Sequence, residues 1–238
     1  LGYARQVVQQ MDLLEAKYIE NRSAKQRFCV SSQHYTFAAN AFVELVQRFG
    51  QEHFEFILNE TQTHQIIEDV RNRFSDLGVL YLSNSNENVL KKLFAEYNLT
   101  FVELFTAAPH IFISKEHPLA KKKSVSLEDL KPFPRLSFVQ GAYESSNFAE
   151  ELFSNEYAEK SIKVSDRAAI VNFMIGLDGY TISSGIFPNY LHGSSIISVP
   201  LKEKETMRIG YVINKDKELS ELGQIYVDAL MQYKCNIG

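Results

Sequence analysis

Apolar residues recur near the start of the chain at alternating intervals of three and four. They are Ala4, Val7, Met11, Leu14 and Tyr18. This spacing places them on one side of a helix and predicts a coiled-coil-like seam for oligomerisation. The alternative is an amphipathic helix that packs on its own domain, because two heptads are too few to decide between the two. The chain opens in mid-helix without a methionine, so we expect it to be part of a longer protein.

After a polar break at residues 21–26, segments with strand and helix periods alternate. The run Leu77–Leu82 (LGVLYL) is apolar at nearly every position, which is typical of a central parallel strand covered on both faces. Two more strands are predicted at 27–31 and 54–58, and two helices at 35–49 and 62–74. Alternation of this kind predicts right-handed βαβ crossovers and a parallel sheet.

The alternation restarts after residue 100. Strands are predicted at 101–114, 135–139, 161–164 and 180–183, and helices at 126–130, 145–153 and 166–175. Strands at 196–199 and 207–214 and a helix at 218–233 complete the chain. The pattern predicts two α/β lobes, with a chain that leaves the first lobe and returns to it. We place lobe I at 25–84 and 203–238, lobe II at 85–202, and the N-terminal helix at 1–24.

The passage FISKEHPLAKKKSVSLEDL, from Phe112 to Leu130, joins a strand to a helix through a turn. Aromatic and β-branched residues favour an extended chain, and His117-Pro118 ends it because proline donates no ladder hydrogen bond. Ser126 precedes Asp129 by three residues, the spacing of a capping box at a helix start.

This order of strand, HPLA turn, basic bridge and SLEDL helix resembles the effector-binding domain of LysR-type transcriptional regulators. VRNRFSDLGVLYL at 70–82 and VNFMIGLDGYTISSGIFP at 171–188 resemble two further landmarks of that family, in order and approximate spacing. Phe74-Ser75 stand where a glycine-containing turn is common, Asp178 lengthens the usual GLG, and Ser183-Ser184 replace commoner apolar residues. The resemblance runs from Leu1 to Tyr233.

The resemblance implies a periplasmic-binding-protein type II fold, with two Rossmann-like lobes joined by two crossover segments and preceded by part of a linker helix. It also implies a bacterial, cytoplasmic regulator of transcription that forms homodimers or homotetramers and senses a small-molecule effector between its lobes. DNA would be bound by a winged helix-turn-helix head that this chain lacks. A transporter's solute-binding protein, which would normally lack the helical seam, is the alternative; a catalytic domain on the same scaffold is less favoured.

Composition narrows these possibilities. The 238 residues are 45% hydrophobic and 23% charged, which is typical of a globular protein. A net charge of −4 argues against a large nucleic-acid surface, and the three lysines at 121–123 are expected in a solvated loop. No segment is long and apolar enough for a membrane helix. Cys29 and Cys235 are expected to be inert thiols, and neither a metal, a cofactor nor a catalytic constellation is predicted.

The candidate ligand-binding residues lie in loops after the predicted strands, because ligands of doubly wound sheets bind beyond the carboxyl ends of strands. Ser31, Ser32, Gln33 and Tyr35 precede a helix, whose N-terminus and neighbouring hydroxyls suit a carboxylate. Simple N-capping by serine is the alternative. The other candidates at this predicted edge are Thr61, Thr63, Ser83, Gln140, Gly141, Tyr143, Ser145, Ser146, Arg167, Ser183 and Ser184.

Arg167 is the one guanidinium in this set. It can pair bidentately with a carboxylate, or form a surface ion pair with a neighbour such as Asp166. Together with the serine-rich rim, it predicts a small anionic or zwitterionic effector, such as a carboxylate or an amino acid.

Overall fold

The computed structural model describes residues 26–49, 53–187 and 195–236, together with 7, 8 and 11. Of the predicted seam, Val7 and Met11 are helical and 59% and 55% exposed. Ala4, Leu14 and Tyr18 lie outside the described residues. The oligomerisation seam therefore stays a prediction.

Five strands form the sheet of lobe I, in the order β2-β1-β3-β10-β4. They are β1 (Gln26–Ser32), β2 (Phe54–Glu60), β3 (Leu77–Leu82), β4 (Leu99–Ala107) and β10 (Met207–Asn214). β1 is parallel to β2 and β3, as predicted, but β10 is antiparallel to β3 and β4. Met207 at the start of β10 lies opposite Ala107 at the end of β4. The chain thus re-enters lobe I at the edge where it left and runs in the opposite direction.

Helices cover both faces of this sheet. They are α1 (Thr36–Arg48), α2 (Thr63–Arg71), α3 (Glu87–Glu96) and α6 (Glu221–Met231), which continues into a 3₁₀ turn at Gln232–Asn236. Tyr81 on β3 belongs to the apolar cluster that includes residues of α1 and α6, whereas its neighbour Leu80 belongs to the cluster of α2 and α3. Because successive strand residues point to opposite faces, β3 is buried on both sides, as its apolar run predicted.

The sequence prediction differs from the structure around β4. The single strand predicted at 101–114 is two strands, β4 and β5 (His110–Ser114), since Pro109 between them cannot donate to a ladder. β4 pairs with β10 in the first sheet, and α3, which was not predicted, packs in the same lobe. We therefore propose moving the lobe boundary from residue 84 to the turn between β4 and β5.

Lobe II contains a second, smaller sheet. Its elements are β5, α4 (Leu127–Leu130), β6 (Arg135–Phe138), a 3₁₀ turn at Gly141–Tyr143, β7 (Ser161–Val164), α5 (Arg167–Gly176), β8 (Thr181–Ser183) and β9 (Ile196–Pro200). β6 and β7 are parallel, and β5 is antiparallel to β8 and β9. A bridge between Arg135 and Tyr180 joins the two sets of strands. The α/β, two-lobed fold is thus as predicted, although neither sheet is wholly parallel.

The HPLA turn is held by the His117 side chain. The Leu119 N–H donates to His117 Nδ1 at 3.0 Å, so Nε2 carries the proton and donates to the Asp178 carbonyl at 3.0 Å. Burial lowers the pKa of His117 and favours this neutral ring. The turn is thereby fastened to the loop between α5 and β8, which supports a structural role.

The predicted capping box at the start of α4 is present. Ser126 Oγ accepts from the Asp129 N–H, and the Asp129 carboxylate accepts from the Ser126 N–H. Lys122, from the lysine run, donates to Asp129 at 2.6 Å, and this bond and those from Ser126 hold the pKa of that carboxyl well below its usual range.

The helix predicted at 145–153 is wrong, because this segment forms turns instead. Glu150 and Glu151 are both buried and accept hydrogen bonds from the backbone of His34 and Phe138, which lie in different lobes. Phe153 has a φ of 58°, a value incompatible with a right-handed helix. The contacts of the two carboxyl groups outweigh the local helix preference.

Two kinds of feature are absent from the residues that the structure describes. Within these ranges no helix could cross a bilayer, and no group of His, Cys, Asp and Glu side chains could hold a metal ion. Cys29 is buried beside Ser75, at 3.3 Å between Sγ and Oγ, and burial raises the pKa of its thiol. This environment disfavours the reactive thiolate.

Candidate functional site

A cavity lies between the lobes, beyond the carboxyl end of β1. Its empty volume is about 600 Å³, including the part that opens to solvent. Lobe I contributes His34, Tyr35 and Thr36 at the start of α1, and lobe II supplies the remaining wall. This is the sheet edge at which the sequence predicted ligand binding.

Most of the cavity wall is apolar, which the predicted serine-rich rim did not anticipate. The wall comes largely from α5, β8 and the segment after β8, because α5 turns Ile170 and Met174 inward. The apolar lining residues are Phe112, Phe138, Ile170, Val171, Met174, Ile182, Ile186 and Phe187.

At the lobe I side, Glu150 of lobe II contacts His34. The His34 N–H donates to Glu150 Oε2 at 2.8 Å, and ring Nδ1 lies 2.9 and 3.0 Å from the two carboxylate oxygens. The ring stacks on Phe138, with centroids 4.0 Å apart and planes 6° from parallel. Burial lowers the pKa of His34, but the hydrogen bond and negative charge of Glu150 more than offset this effect, so the pKa is raised overall.

A second polar bridge runs beside the first. The Thr63 N–H at the start of α2 donates to Gln140 Oε1 at 3.0 Å, and Gln140 Nε2 donates to Glu150 Oε1 at 3.1 Å. Gln33 Nε2 donates to Thr63 Oγ1 at 2.6 Å, and Gln33 Oε1 accepts from the Tyr35 hydroxyl at 2.9 Å. Side chains of lobe II therefore satisfy amides near the beginnings of two lobe I helices.

Arg167 at the start of α5 forms an ion pair across the cleft. Its Nε donates to Glu60 Oε2 at 2.9 Å, so the predicted partner Asp166 is not the one that binds it. Asp166 instead caps α5 by accepting from the Ala169 N–H. Arg167 Nη1 and Glu60 Oε1 are buried and lack a hydrogen-bond partner in the described structure. Burial raises the pKa of Glu60, although the charges of Arg167 and His34 oppose this effect.

Glu151 provides a buried carboxyl group at the cavity. Its Oε1 accepts from the Phe138 N–H at 2.9 Å, whereas Oε2 is buried without a partner among the described residues. Burial and the nearby charge of Glu150 raise the pKa of Glu151 to about 8. The group is therefore mostly neutral at pH 7, and can both donate and accept a hydrogen bond.

Aromatic contacts extend the junction between the lobes. The Tyr143 ring stacks on His64 of α2, with centroids 3.5 Å apart and planes 8° from parallel. Phe148 meets the same His64 ring edge-on at 5.7 Å. The Tyr81 hydroxyl donates to the Ala149 carbonyl at 3.2 Å. Residues 140–150 of lobe II thus form a strap across the mouth of the cleft.

The structure brings about half of the predicted site residues to this region. Tyr35, Arg167 and Ser183 line the cavity. Gln33, Thr63, Gln140 and Tyr143 form the contacts between the lobes, and Gly141 lies against Gln62. Whether these residues contact a ligand stays a prediction.

The other predicted residues lie elsewhere or are engaged locally. Ser31 Oγ donates to Asp69 Oδ2 at 2.6 Å, and Ser32 Oγ donates to the Gln33 carbonyl at 2.7 Å. Thr61 contributes a backbone N–H to the Ser32 carbonyl. Ser83 Oγ is 2.9 Å from Ser85 Oγ, and Ser184 Oγ accepts from the Ile186 N–H. Ser145 and Ser146 line a separate cavity of lobe II.

Sequence reasoning missed the two acidic residues at the centre of the site. The sequence predicts a helix at 145–153, which would include Glu150 and Glu151, and it does not single out either residue as a site residue. Glu150 meets its partner 116 positions away along the chain. No local pattern signals such a pair, although two adjacent acids between Ala149 and Leu152 are a weak sign of an unusual environment.

Comparison with known proteins identifies one family. The family described as the LysR substrate binding domain matches residues 25–234. The effector binding domain of QuiR in complex with shikimate is 20% identical and has a TM-score of 0.60, over 89% of this chain and 98% of that chain. HinK, a LysR family transcriptional regulator from Pseudomonas aeruginosa, is 14% identical with a TM-score of 0.59, over 98% and 78%.

The oxidized form of OxyR is 19% identical with a TM-score of 0.54, over 87% of this chain and 95% of that chain. No curated protein matches the chain by sequence. At these identities the solved structures show a shared fold.

Proposed function

The chain belongs to the LysR substrate-binding domain family, and on that premise we propose that it is the effector-sensing and oligomerisation domain of a LysR-type transcriptional regulator. In this proposal a small molecule binds in the cleft and changes how distant DNA-binding heads are held. DNA is contacted by a winged helix-turn-helix head outside this chain, in the cytoplasm. The domain regulates and does not catalyse.

The cavity between the lobes is the observation that carries this proposal. It combines an apolar wall with two polar atoms that are buried without partners in the described structure, Arg167 Nη1 and Glu151 Oε2. Buried polar atoms are normally hydrogen-bonded, so such atoms at a cavity favour a ligand that completes them. Arg167 would receive an acceptor group, and Glu151 a donor or acceptor group.

This arrangement supports a small effector with an apolar body and polar ends. The sequence predicted an anionic or zwitterionic molecule, and the QuiR domain provides one example of a relative bound to a hydroxylated carboxylate, shikimate. In the present cavity, the Arg167 guanidinium and the Glu151 carboxyl group both belong to lining residues. This combination suits a zwitterion, one of the two effector classes that the sequence predicted.

Regulation also requires that the effector distinguish two arrangements of the lobes or subunits. A ligand that binds both arrangements equally shifts neither, however tightly it binds. The contacts that cross the cleft provide such a difference, because Arg167 and His34 meet partners from the opposite lobe. An effector that inserts between them must alter these contacts.

A thermal-shift screen of small metabolites tests the site. A ligand at about a hundred times its dissociation constant adds about 2.7 kcal/mol to the stability of the folded domain. For any compound that stabilises the wild-type domain, we expect Arg167→Gln to reduce the stabilisation strongly. Arg71→Gln, which removes an exposed guanidinium paired with Glu68, is the matched control and leaves it unchanged. Equal stabilisation of all three proteins would exclude the cavity as the binding site.

Oligomerisation is tested separately by measuring the size of the domain in solution. Ile175 and Leu177 near the end of α5 are each 50% exposed, and Val7 and Met11 are helical and exposed. A second subunit could cover these side chains, which supports the proposed homodimer or homotetramer. We expect a dimer or larger species by light scattering at micromolar concentrations. A monomer throughout that range would contradict this half of the proposal.

A further inference from the structure

The chain's own Glu150 occupies the place where the sequence predicted an effector carboxylate. That place is the loop between β1 and α1, whose N–H groups and helix terminus attract negative charge. Glu150 reaches it from the opposite lobe and accepts from the His34 N–H at 2.8 Å. The His34 ring and Gln140 Nε2 complete its partners, at 2.9 to 3.1 Å.

Glu150 is buried, and the groups that bind it are themselves held in place. The residue is 4% exposed, and the His34 ring that faces it is fixed by stacking on Phe138. Gln140, which donates to Glu150, is itself held by the Thr63 N–H of lobe I. The carboxylate is therefore bound as an anionic ligand would be, by a backbone amide, an imidazole and a carboxamide.

Among the described residues at the cavity, no cation is free for a second anion. Arg167 is balanced by Glu60 at 2.9 Å, and Glu150 is balanced by His34 only when that ring is protonated. Glu151 adds either no charge or one negative charge. With Arg167, Glu60 and Glu150 charged, the sum over these five groups is zero or negative whatever the protonation of His34 and Glu151, so a buried monoanion would lack a counter-ion and bind at a large cost.

We propose that Glu150 is a built-in carboxylate ligand of the cleft, which joins the lobes without an effector and excludes free monocarboxylates. The effector of the adjoining cavity is accordingly uncharged, zwitterionic or cationic. The choice of effector rests on the proposed function, whereas the role of Glu150 as an internal ligand does not.

Chemical rescue tests the internal ligand. Glu150→Ala removes the carboxylate and leaves a space of similar size next to the same donors. Propionate supplies a carboxylate with a short apolar stem, so it should stabilise this variant against unfolding. At ten times its dissociation constant it raises the ratio of folded to unfolded protein about tenfold. Propionamide, which is similar in shape but uncharged, should have little effect at the same concentration and ionic strength.

Two proteins serve as controls for this experiment. The wild type and Glu116→Ala, which removes an exposed acidic side chain, should show no difference between propionate and propionamide. The proposal is overturned if propionate stabilises Glu150→Ala no more than these controls. If Glu150→Ala folds only when propionate is present, the rescue itself supports the proposal.

Glu150→Gln provides a second test that keeps the volume of the side chain. Its carboxamide oxygen can still accept from the His34 N–H, but the cleft loses one negative charge. The affinity for benzoate relative to benzamide should therefore rise about tenfold or more over the wild type, because the bound carboxylate no longer meets the like charge of Glu150. A tenfold change corresponds to about 1.4 kcal/mol. An unchanged ratio would contradict the proposal.

The two proposals fail in different ways. If no metabolite and neither benzoate nor benzamide binds the wild-type cavity, the effector-sensing function is contradicted, while propionate rescue of Glu150→Ala can still succeed. If a metabolite binds but rescue fails, the internal ligand is the part that is wrong.

Discussion

Ionisation of the buried Glu151 carboxyl group destabilises the folded protein. Its pKa is about 8 in the folded protein, against an ordinary value of 4.5, because of burial and the neighbouring charge of Glu150. Between these two pH values the folded state holds a proton that the unfolded chain has released. Stability therefore falls as pH rises through this window, by about 1.4 kcal/mol for each pH unit.

Replacing Glu151 with Gln should remove most of this fall. The carboxamide oxygen can still accept from the Phe138 N–H, but it carries no titrating proton. We expect Glu151→Gln to be more stable than the wild type at pH 8 and similar to it near pH 5, as measured by urea unfolding. Glu156→Gln makes the same replacement at an exposed position, and its stability should depend on pH as that of the wild type does. Parallel curves for wild type and Glu151→Gln would contradict the role assigned to burial.

His34 and Glu60 leave a smaller pH dependence in that variant. The pKa of His34 is raised, so the stability that its contact with Glu150 provides is fully present below about pH 6.5 and is lost as pH rises through the folded value. The pKa of Glu60 is also raised, so ionisation of this group also opposes folding as pH rises. Both effects have the same sign as that of Glu151.

At the scale of single elements, the packing of β3 against α2 requires a glycine. A Cβ at Gly78 would lie 2.5 Å from Ile66 Cγ2 and 3.0 Å from Val70 Cγ2 and Val212 Cγ2. The methyl group of Gly78→Ala must push α2 away from the sheet, and overpacking of this kind costs about 1–3 kcal/mol. We expect urea unfolding to show a loss in that range.

Gly176→Ala is the matched control for this substitution. Gly176 ends α5, and a Cβ there would meet nothing within 4 Å. Alanine loses less backbone entropy on folding than glycine, so this change should be neutral or stabilise by up to about 1 kcal/mol. Similar losses from both substitutions would contradict the packing explanation.

Elements governed by neighbouring residues could be predicted from the sequence, and those governed by distant contacts could not. β3, β7 and β10 have the predicted bounds, and the Ser126 capping box forms as its spacing indicated. The direction of β10 depends on where the chain re-enters lobe I, which no local pattern records. The turns at 145–153 depend on contacts of Glu150 and Glu151 with residues remote in sequence.

The same division holds for the candidate site. Its location beyond β1 followed from the general geometry of α/β sheets. Its chemistry did not, because Ser31 and Ser32 turn to internal partners while Glu150 arrives from the other lobe. A serine in a loop sequence does not reveal whether its hydroxyl is already engaged.

At the scale of the whole molecule, one apolar cluster connects the two lobes. It includes Phe28 and Tyr226 of lobe I together with Ile113, Tyr180 and Val199 of lobe II. Because this cluster is continuous from one lobe to the other, the lobes should not unfold independently. We expect one cooperative transition in calorimetry, with calorimetric and van 't Hoff enthalpies that agree.

Substitutions in either lobe test this cooperativity. Leu45 of α1 and Leu130 of α4 are fully buried in the same cluster. Leu45→Ala and Leu130→Ala should each lower that single transition, by about 2–5 kcal/mol. Two separate transitions, each sensitive to only one of the variants, would show that the lobes are energetically independent.

The two segments that join the lobes run side by side. The Leu201 N–H, just after β9, donates to the Pro109 carbonyl, just before β5, at 3.0 Å. Mechanically, two connections fastened together form one hinge line, which bends readily but resists sliding and twisting. The lobes should therefore rotate toward and away from each other about this axis. In the proposed function, an effector would act by changing the angle between them.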